Sequence, residues 1–256
     1  MVTLKSTREI ARMRDSGRIV AAVLAAMAEA VRPGVTTAEL DRLAESIIRG
    51  HDGARPAFKG YGDRGHGGFP ASICASVNEE VVHGIPSRSR RLEAGDIVGV
   101  DVGVLLHGYH ADAARTFAVG AVAPRTRSLL GVTREALEAG IAAAQPGGHV
   151  GDISHAIQAV AEAAGFSIVR DLVGHGIGQL LHEDPQVPNF GVRGRGLKLE
   201  PGLVIAIEPM VNCGDSAVRT LDDTWTIVTV DGKCSAHFEH TVAITAAGPE
   251  VLTRAA

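Results

Sequence analysis

The sequence repeats one succession of predicted elements, and this repeat constrains the fold more than any other feature of the chain. Two amphipathic helices followed by short β-rich runs fill about residues 6–120, and the same order returns over about residues 126–250. Residues 92–101 (LEAGDIVGVD) match residues 199–208 (LEPGLVIAIE), and an acid ends each run. We interpret the repeat as an internal duplication with an approximate twofold axis. Chance similarity between glycine-rich loops is the alternative.

Helix-start signals locate the elements within each half. Ser6 and Glu9 have the spacing of a capping box, as do Thr36 and Glu39, and apolar residues recur at helical spacing after each pair. Further helices are predicted over 126–144 and 152–164, and strands over 71–77, 97–106, 113–119 and after the fourth helix. No linker-like stretch separates the halves. We therefore predict one α+β domain over residues 1–256, with an antiparallel sheet backed by four main helices.

Composition argues against several classes of protein. The 25 basic and 29 acidic residues give a net charge of −4 without a basic stripe, so no nucleic-acid partner is expected. Three widely spaced cysteines without a CxxC pair argue against a disulfide framework and a thiolate zinc site, and favour the cytoplasm. The most apolar stretch, residues 19–31, is too short to span a membrane. Modest charge and a self-contained domain favour a monomer.

Two aspartates stand in strand-like segments where apolar residues are expected. Asp101 follows the apolar run 97–100, and Asp112 comes after a turn candidate, His107-Gly108. In an antiparallel hairpin with a two-residue loop at this turn, the numbers of cross-strand partners sum to an odd number. Asp101 and Asp112 then project from the same face. The two carboxylates are therefore expected to face one point.

Two glutamates occupy similar settings in the second half. Glu208 ends an apolar run and is the counterpart of Asp101 in the repeat. Glu239 precedes the strand-like run 241–244 and takes the place of Asp112. Four carboxylates would then converge, and they would repel one another unless two divalent ions balanced their charge.

One imidazole completes this candidate metal site. The set consists of Asp101, Asp112, His175, Glu208 and Glu239. Such an oxygen-rich site suits Mn, Fe(II) or Co better than a structural zinc. Each residue alone also has an ordinary reading, as a turn residue, a solvated strand-end acid or a loop histidine. The joint pattern favours the metal site.

Ordered motifs stand along the chain: HGIP at 83–86, GDIV at 95–98 with Asp101, HAD at 110–112, GHGIG at 174–178 with His182, IEP at 207–209 and EHT at 239–241. In these motifs the chain resembles the type I methionine aminopeptidases, and the resemblance runs from about residue 6 to the C-terminus. It implies the pita-bread fold, a pseudo-twofold antiparallel sheet backed by helices, and a dinuclear site held by the same five residues. It also implies a hydrolase that removes an N-terminal methionine when the second residue is small.

The resemblance implies roles for three catalytic residues. Glu208 would exchange a proton with the attacking water, a general-base role that contributes about 10²–10⁴ in rate. His83 would contact the scissile amide and assist the leaving amine, and His182 would stabilise charge on the carbonyl oxygen. Two divalent ions would activate the water and polarise the carbonyl. The partner would be a peptide or nascent chain with Met first, which leaves room for a transient contact with the ribosome.

The family's methionine pocket maps onto an apolar set in this chain. Its walls would be Phe69, Cys74 and Trp225, with Met210 and Leu181 nearby, and core packing is the alternative reading for the last two. Such a pocket selects methionine over polar residues and rejects apolar isosteres poorly.

Two residues depart from the family pattern near this pocket. His66 stands where family members usually carry an aromatic pocket residue, and we include it in the substrate-binding set. Glu80 replaces a valine and is expected to add a charge near the site.

Two other functions remain open for such a chain. Proline-directed peptidases of the same fold use a similar ligand set, but those families usually carry a large extra N-terminal domain. A peptide- or nucleic-acid-binding descendant of the fold would be expected to have lost ligands or gained a basic tail. Neither change is seen in the sequence.

Eleven histidines are many for a chain with nine aromatic residues. His83, His175 and His182 have roles by the arguments above, and His110 and His240 flank ligand acids as candidate partners of those acids. The other five are expected on the surface or in loops: His51, His107, His149, His155 and His237.

Overall fold

The computed structural model describes residues 2–63 and 67–254. Within these ranges the helices are α1 (Thr7–Ala30), α2 (Thr37–Arg49), α3 (Pro124–Ala143) and α4 (Val150–Ala163). The strands of the first half are β1 (Arg55–Pro56), β2 (Ile73–Val77), β3 (Glu80–Val82), β4 (Ile97–Leu106) and β5 (Tyr109–Ala118). Those of the second half are β6 (Ser167–Ile168), β7 (Val173–Gly176), β8 (Glu183–Pro188), β9 (Val204–Ile207), β10 (Met210–Asn212), β11 (Val218–Thr220), β12 (Ile227–Thr229), β13 (Ser235–His237), β14 (His240–Thr245) and β15 (Gly248–Val251).

Side-chain caps start the first two helices as their sequence predicts. Glu9 accepts hydrogen bonds from the Ser6 amide (2.7 Å) and hydroxyl (2.6 Å), and Glu39 repeats this arrangement at Thr36. These bonds satisfy amide groups that have no partner inside a helix. The second pair of helices begins two residues earlier than predicted. At α4 the reason is that His149 is the N-cap residue: its amide donates a hydrogen bond to the Asp152 carboxylate (2.7 Å), so the helix begins at Val150.

A long hairpin dominates the sheet of the first half. β4 and β5 pair over their whole length, and β1 and β2 lie along the other edge of β4. The two-residue turn consists of His107 and Gly108, both with positive φ (53° and 81°), which is the geometry that matches the twist of the flanking strands. This turn fixes the register of the pair.

The second half forms a five-stranded antiparallel sheet in the order β15-β14-β9-β7-β8. Two smaller three-stranded sheets, β13-β10-β6 and β11-β12-β3, complete the layer. The two larger sheets meet where β5 runs beside β14. There the Glu239 amide donates to the Ala114 carbonyl (2.9 Å), and the Thr241 hydroxyl donates to the Asp112 carbonyl (2.8 Å). A few hydrogen bonds, rather than a continuous ladder, join the halves at this seam.

Each half has its own apolar core between its helices and its sheet. In the first, Met27 on α1 and Leu40 on α2 pack in one cluster with Val100 on β4. In the second, Leu137 on α3 and Ile157 on α4 pack in one cluster with Ile205. The predicted layer of helices behind an antiparallel sheet is thus present in both halves. None of the helices in the described ranges combines the length and the apolar character that crossing a membrane requires.

Candidate metal centre and active site

The β4–β5 hairpin places two carboxylates on one face. Asp101 lies opposite Ala114, and Asp112 lies opposite Gly103. Since side chains alternate between the faces of a strand, this register points both aspartates to the same side. The prediction made from the turn position is confirmed.

Glu208 and Glu239 come together at the end of another ladder. β9 and β14 are antiparallel, and Ile207 pairs with His240. The residue after Ile207 is Glu208 and the residue before His240 is Glu239, so the two glutamates lie next to each other. The Asn189 side-chain amide donates to the Glu208 carbonyl (3.0 Å) and holds the chain where β9 ends.

His175 lies on β7 between two glycines that allow close packing. A Cβ at Gly174 would lie 2.4 Å from the Ala206 carbonyl oxygen, and one at Gly176 would lie 2.1 Å from that of Asp184. Only glycine therefore permits this approach of β7 to its neighbours. The Nδ1 atom of His175 is 2.8 Å from the Gly176 carbonyl oxygen, which leaves Nε2 directed at the acids.

These side chains converge in the interior of the protein. The Nε2 atom of His175 is 3.6 Å from Oε1 of Glu208 and 3.8 Å from Oδ2 of Asp112. One ligand atom each from Asp112, His175 and Glu239 lie within 4.8 Å of one another, which suits a shared metal ion. In addition, Oδ1 of Asp101 is buried without a hydrogen-bond partner within the described residues.

Burial raises the pKa of all four acids, and repulsion by neighbouring carboxylates adds to the effect at three of them. Burial raises the pKa of Asp112 to about 6, although His182 and the Thr241 hydroxyl act in the opposite direction. Burial, followed by the charge of Asp112, raises the pKa values of Asp101, Glu208 and Glu239 well above their usual range.

No basic side chain among the described residues of the cavity balances these acids. Among the described residues that line it, the only lysine or arginine is Lys5, and its ammonium group pairs with Glu183 (2.6 Å). A buried cluster of four carboxylates with an orphaned oxygen fits divalent cations bound among them.

The two further histidines of the sequence prediction lie around the same cavity. His83 follows β3 with a positive φ of 60°, a conformation that is strained for a residue with a side chain and recurs at functional sites. The ring of His182 lies 4.2 Å from that of His175, and its Nδ1 contacts the Tyr61 hydroxyl. Burial lowers the pKa of both His83 and His182, and the neighbouring His175 adds to the effect at His182.

The predicted apolar walls line this cavity, which has a volume of about 880 Å³. The rings of Phe69 and Trp225 pack edge to face, with centroids 5.3 Å apart. Burial, together with the charges of Asp101 and Glu239, raises the pKa of the Cys74 thiol well above its usual value, so this wall stays uncharged. Met210 and Leu181 are buried and also line the cavity.

Comparisons with known proteins agree with this geometry. A family model described as metallopeptidase family M24 matches residues 11–246. The methionine aminopeptidase of Clostridium acetobutylicum is 53% identical over 253 residues, or 99% of each chain. Methionine aminopeptidase 1 of Bacillus subtilis is 52% identical over 99% of this chain and 100% of its own. The chain belongs to metallopeptidase family M24. The predicted resemblance to methionine aminopeptidases is thereby confirmed.

Solved structures support the same assignment of this M24 chain. The crystal structure of methionine aminopeptidase from Thermotoga maritima has a TM-score of 0.96 and 46% sequence identity, with 100% of both chains covered. The prolidase from Pyrococcus furiosus has a TM-score of 0.78 at 23% identity, and this chain covers 66% of it, a likeness that shows the fold alone. The predicted pita-bread fold is confirmed. Family membership and the acid–histidine cluster together show that the chain uses divalent metal.

One histidine of the M24 site was wrongly predicted as a surface or loop residue. His237 is buried on β13, and its Nε2 lies 3.8 Å from Oε2 of Glu208 and 4.0 Å from Oε2 of Glu239. Within the described residues this nitrogen has no hydrogen-bond partner. The alternation of side chains along a strand was the available signal, because His237 and Glu239 are two residues apart and share a face.

The histidines expected to support the ligand acids have other partners. The ring of His110 hydrogen-bonds the Gly178 carbonyl (3.2 Å), and that of His240 hydrogen-bonds the Thr253 hydroxyl (2.8 Å). The prediction that they contact the acids was wrong. His240 is adjacent to Glu239 in the sequence and points away from it, whereas His110 shares a face with Asp112 but its ring is engaged by the Gly178 carbonyl instead. His149 is the N-cap residue of α4, and its amide donates to the Asp152 carboxylate.

The two departures from the family pattern have different outcomes. His66 lies outside the described residues. Glu80 contributes no charge to the cavity lining, because its carboxylate turns to the Val77 amide and accepts a hydrogen bond from it (2.7 Å). Tyr61, which the sequence prediction did not include, lines the cavity and contacts His182. Its position in an irregular loop gave no periodic signal.

Proposed function

We propose that this M24 chain is a metal-dependent aminopeptidase that removes methionine from the N-terminus of peptides and proteins when the second residue is small. The observation that carries the proposal is that the acid–histidine cluster and the apolar walls line one cavity. A substrate that places its first side chain against Phe69 and Trp225 brings its first peptide bond near Asp112 and His175. That arrangement favours cleavage after the first residue.

We propose further that two divalent ions, Co, Mn or Fe(II), bind to five side chains: Asp101, Asp112, His175, Glu208 and Glu239. Four carboxylates that no lysine or arginine of the described cavity lining balances support the number of ions, since two divalent charges would neutralise them. When bound, such ions lower the pKa of a water and polarise a carbonyl.

Glu208 is the proposed general base. Its two carboxylate oxygens face His175 and His237 at 3.6 and 3.8 Å. As the base it would take a proton from the attacking water and later pass it to the leaving amine. His237 is neutral at physiological pH because burial lowers its pKa to about 3, so it does not neutralise Glu208.

His83 and His182 are proposed to act on the substrate. Burial lowers the pKa of each, so both imidazoles are neutral near pH 7, and each can donate one hydrogen bond. His83 donates to or accepts from the scissile amide, and His182 donates to the carbonyl oxygen, where charge develops during attack. The Tyr61 hydroxyl at Nδ1 of His182 orients that ring.

Hydrolysis of short peptides tests this proposal. Purified chain would be stripped of metal, reloaded separately with Mn, Co and Fe(II), and supplied with Met-Ala-Ser, norleucine-Ala-Ser, Gln-Ala-Ser and Ala-Pro. We expect cleavage of the first two and weak or no cleavage of Gln-Ala-Ser, because an apolar pocket separates methionine from a polar side chain and not from an isostere. Cleavage of Ala-Pro with Met-Ala-Ser left intact would overturn the assignment. Metal content measured on the same samples counts the ions.

Four properties inferred from the sequence stay predictions within this proposal. They are a single catalytic domain, a monomer, a location in the cytoplasm and action on nascent chains with transient contact to the ribosome. Light scattering of the purified protein tests the monomer. Cosedimentation with ribosomes that carry a short nascent chain tests the contact.

A further inference from the structure

Two of the three cysteines face each other across neighbouring strands. β10 and β13 are antiparallel, and Asn212 pairs with Ser235 at one end of their ladder. The next residues outward are Cys213 and Cys234. The Cys213 amide donates a hydrogen bond to the Cys234 carbonyl (2.9 Å), so the two residues are directly opposite. Both side chains are partly exposed, which leaves them accessible to a small reagent.

The chain around this pair is held in place by hydrogen bonds. The Asp231 carboxylate accepts from the Asp215 amide (3.0 Å) and from the Lys233 amide (3.1 Å). The Asn212 side chain donates to the Asp215 carbonyl (2.9 Å). The bond between Asp215 and Asp231 joins the two segments just beyond the cysteines, and the other two order the chain on either side of the pair, so a shift in register would break the bond that crosses.

The spacing of such a pair is compatible with a disulfide. Directly opposite residues that share backbone hydrogen bonds in an antiparallel pair have Cα atoms about 5.5 Å apart. Disulfides in proteins span Cα separations of roughly 4.4–6.8 Å. Cys213 and Cys234 lie just outside the regular ladder, where the strands can adjust to bring the two sulfurs into contact.

We propose that Cys213 and Cys234 form a site of reversible oxidation, at which a low-molecular-weight disulfide such as oxidised glutathione converts the two thiols into an intrachain disulfide. Cys74 is the internal control in the same chain. Its side chain is only 4% exposed, so we expect it to stay reduced.

The exchange proceeds in two balanced steps. The thiolate of one cysteine attacks a sulfur of oxidised glutathione, which breaks that S–S bond, releases one glutathione thiolate and leaves a mixed disulfide on the protein. The second cysteine thiolate attacks the protein sulfur of the mixed disulfide and releases the second glutathione. Two electrons pass to oxidised glutathione, and the two protons lost by the cysteines end on the two glutathione thiols.

Cys213 is the expected first nucleophile. Burial raises its pKa, but Arg125 and Lys233 act in the opposite direction and favour its thiolate. Burial and then the neighbouring Cys213 raise the pKa of Cys234, and nearby acidic residues add to this effect. Because thiolates are the attacking species, the reaction is expected to accelerate as pH rises above neutrality.

The disulfide would close a loop that carries one wall of the cavity. Residues 214–233 include β11, β12 and Trp225, and the Thr226 hydroxyl reaches the His83 carbonyl (3.5 Å). A covalent bond at the base of this loop restricts its motion and so the position of Trp225. This consequence for substrate binding rests on the proposed function, whereas the thiol chemistry does not.

The test uses the metal-free full chain with oxidised glutathione at mildly alkaline pH. We expect titration of denatured protein to show loss of two of the three thiols, with recovery after dithiothreitol. After trypsin, mass spectrometry is expected to show peptide 199–219 linked to peptide 234–254 with the loss of two hydrogens. Any of three results would overturn the proposal: all three thiols retained, a glutathione adduct as the end product, or a disulfide-linked dimer of chains.

Two single variants serve as matched controls. Cys213→Ser and Cys234→Ser each keep one cysteine of the pair and are expected to stop at a glutathione adduct. The adduct is expected to form faster on Cys213, in Cys234→Ser, than on Cys234, in Cys213→Ser. An intrachain link in either variant would implicate Cys74 and contradict the assignment.

The fluorescence of Trp225, the only tryptophan, reports on the loop. Oxidation of the unaltered chain is expected to lower the quenching of Trp225 fluorescence by acrylamide at least about twofold. After metal is restored, we expect KM for Met-Ala-Ser to change more than kcat. Cys213→Ser treated in the same way shows neither change. Unchanged quenching and KM in disulfide-linked protein would overturn the loop restraint. Failure of the reduced protein to cleave Met-Ala-Ser would contradict the proposed function and leave the thiol result standing.

Discussion

The two halves of the molecule supply the same kind of acid by different structural means. In the first half, Asp101 and Asp112 both lie within ten-residue strands of one hairpin, so a single register places both carboxylates. In the second half, His175, Glu208 and Glu239 come from three separate chain segments at or beside short strands. One turn positions the aspartates, whereas several independent contacts position the other three side chains.

The contacts around the ligands follow the same division. Asp101 has a buried oxygen without a partner and is placed by the ladder alone. In the second half, the ring of His175 is held by the Gly176 carbonyl and the chain at Glu208 by the Asn189 amide. The difference teaches that one register is enough to place both acids of the first half, whereas the second half adds close packing and individual hydrogen bonds to the β9–β14 register.

Substituting the counterpart acids Asp101 and Glu208 gives the largest expected effect. Glu208→Gln is expected to lower kcat for Met-Ala-Ser by about 10²–10⁴ even with saturating metal, because it removes both a ligand and the general base. Asp101→Asn removes a ligand only, so excess metal is expected to restore part of its activity. Activity titrated against metal concentration measures both. If excess metal restores the activity of both variants to the same extent, Asp101 and Glu208 act alike and Glu208 is not the general base.

Glycine substitutions test the contrast in packing. Gly174→Ala is expected to destabilise the protein by about 1–3 kcal/mol, because its Cβ would overlap a backbone oxygen that cannot move freely. Gly99→Ala on β4 is the matched control in the first half. There the nearest atom, the Thr116 hydroxyl oxygen, is 3.4 Å from the new Cβ, and the expected change is near zero or stabilising. Urea unfolding midpoints measure both, and an equal loss in the two variants would contradict the packing contrast.

The same contrast explains which parts of the molecule were predictable from sequence. The helix starts at Ser6 and Thr36 and the shared face of Asp101 and Asp112 follow from local spacing, and the structure confirms them. Both features depend on residues close together in the chain. A capping box and a two-residue turn leave few alternatives.

The surroundings of the second-half ligands were harder to predict. The buried position of His237 depends on β13 pairing with β10, which is distant in sequence. Tyr61 reaches His182 from an irregular loop with no periodic signal. The partner of His240 was wrongly predicted because the immediate neighbour of Glu239 points away from it, and that of His110 because its ring is engaged by the carbonyl of Gly178, which is distant in sequence. Long-range contacts decide these positions, and the two-residue spacing of His237 and Glu239 is the one local pattern that pointed to any of them.

Metal affinity as a function of pH tests the protonation of Asp112, which lies at the seam between the halves. Burial raises the pKa of Asp112 to about 6, so metal must displace protons from the cluster at lower pH. We expect apparent affinity to fall at least about tenfold per pH unit below pH 6. Isothermal titration calorimetry with Mn in several buffers measures the affinity and the protons released. Affinity that is constant between pH 5 and pH 7 would contradict protonation of Asp112.

Thr241 connects this titration to the second half. Its hydroxyl lies 3.2 Å from Oδ1 of Asp112 and lowers the pKa of that carboxyl. Thr241→Val is expected to shift the loss of metal affinity to higher pH, and Thr241→Ser, which keeps the hydroxyl, is expected to behave as the unaltered chain. An unshifted profile in Thr241→Val would show that the seam does not tune Asp112.

The helix caps give the smallest expected effect and compare the halves at their surfaces. Hydrogen bonds from Ser6 and Tyr109 lower the pKa of Glu9 to about 2, and amide hydrogen bonds from Gly194 and His149 lower that of Asp152 on α4. A folded-state pKa below the unfolded value stabilises the protein above about pH 4.5, and the stabilisation is lost as pH falls towards 2.

Glu9→Gln is therefore expected to lower the free energy of unfolding at pH 7 by less than about 1 kcal/mol, because the group is exposed. The difference from the unaltered chain should shrink by pH 3.5. Asp152→Asn should behave likewise, since Asp152 is also an exposed carboxylate whose pKa is lowered by the hydrogen bonds that it accepts. Urea midpoints at the two pH values measure both, and a loss that is independent of pH would assign the effect of Glu9 to its shape rather than its charge.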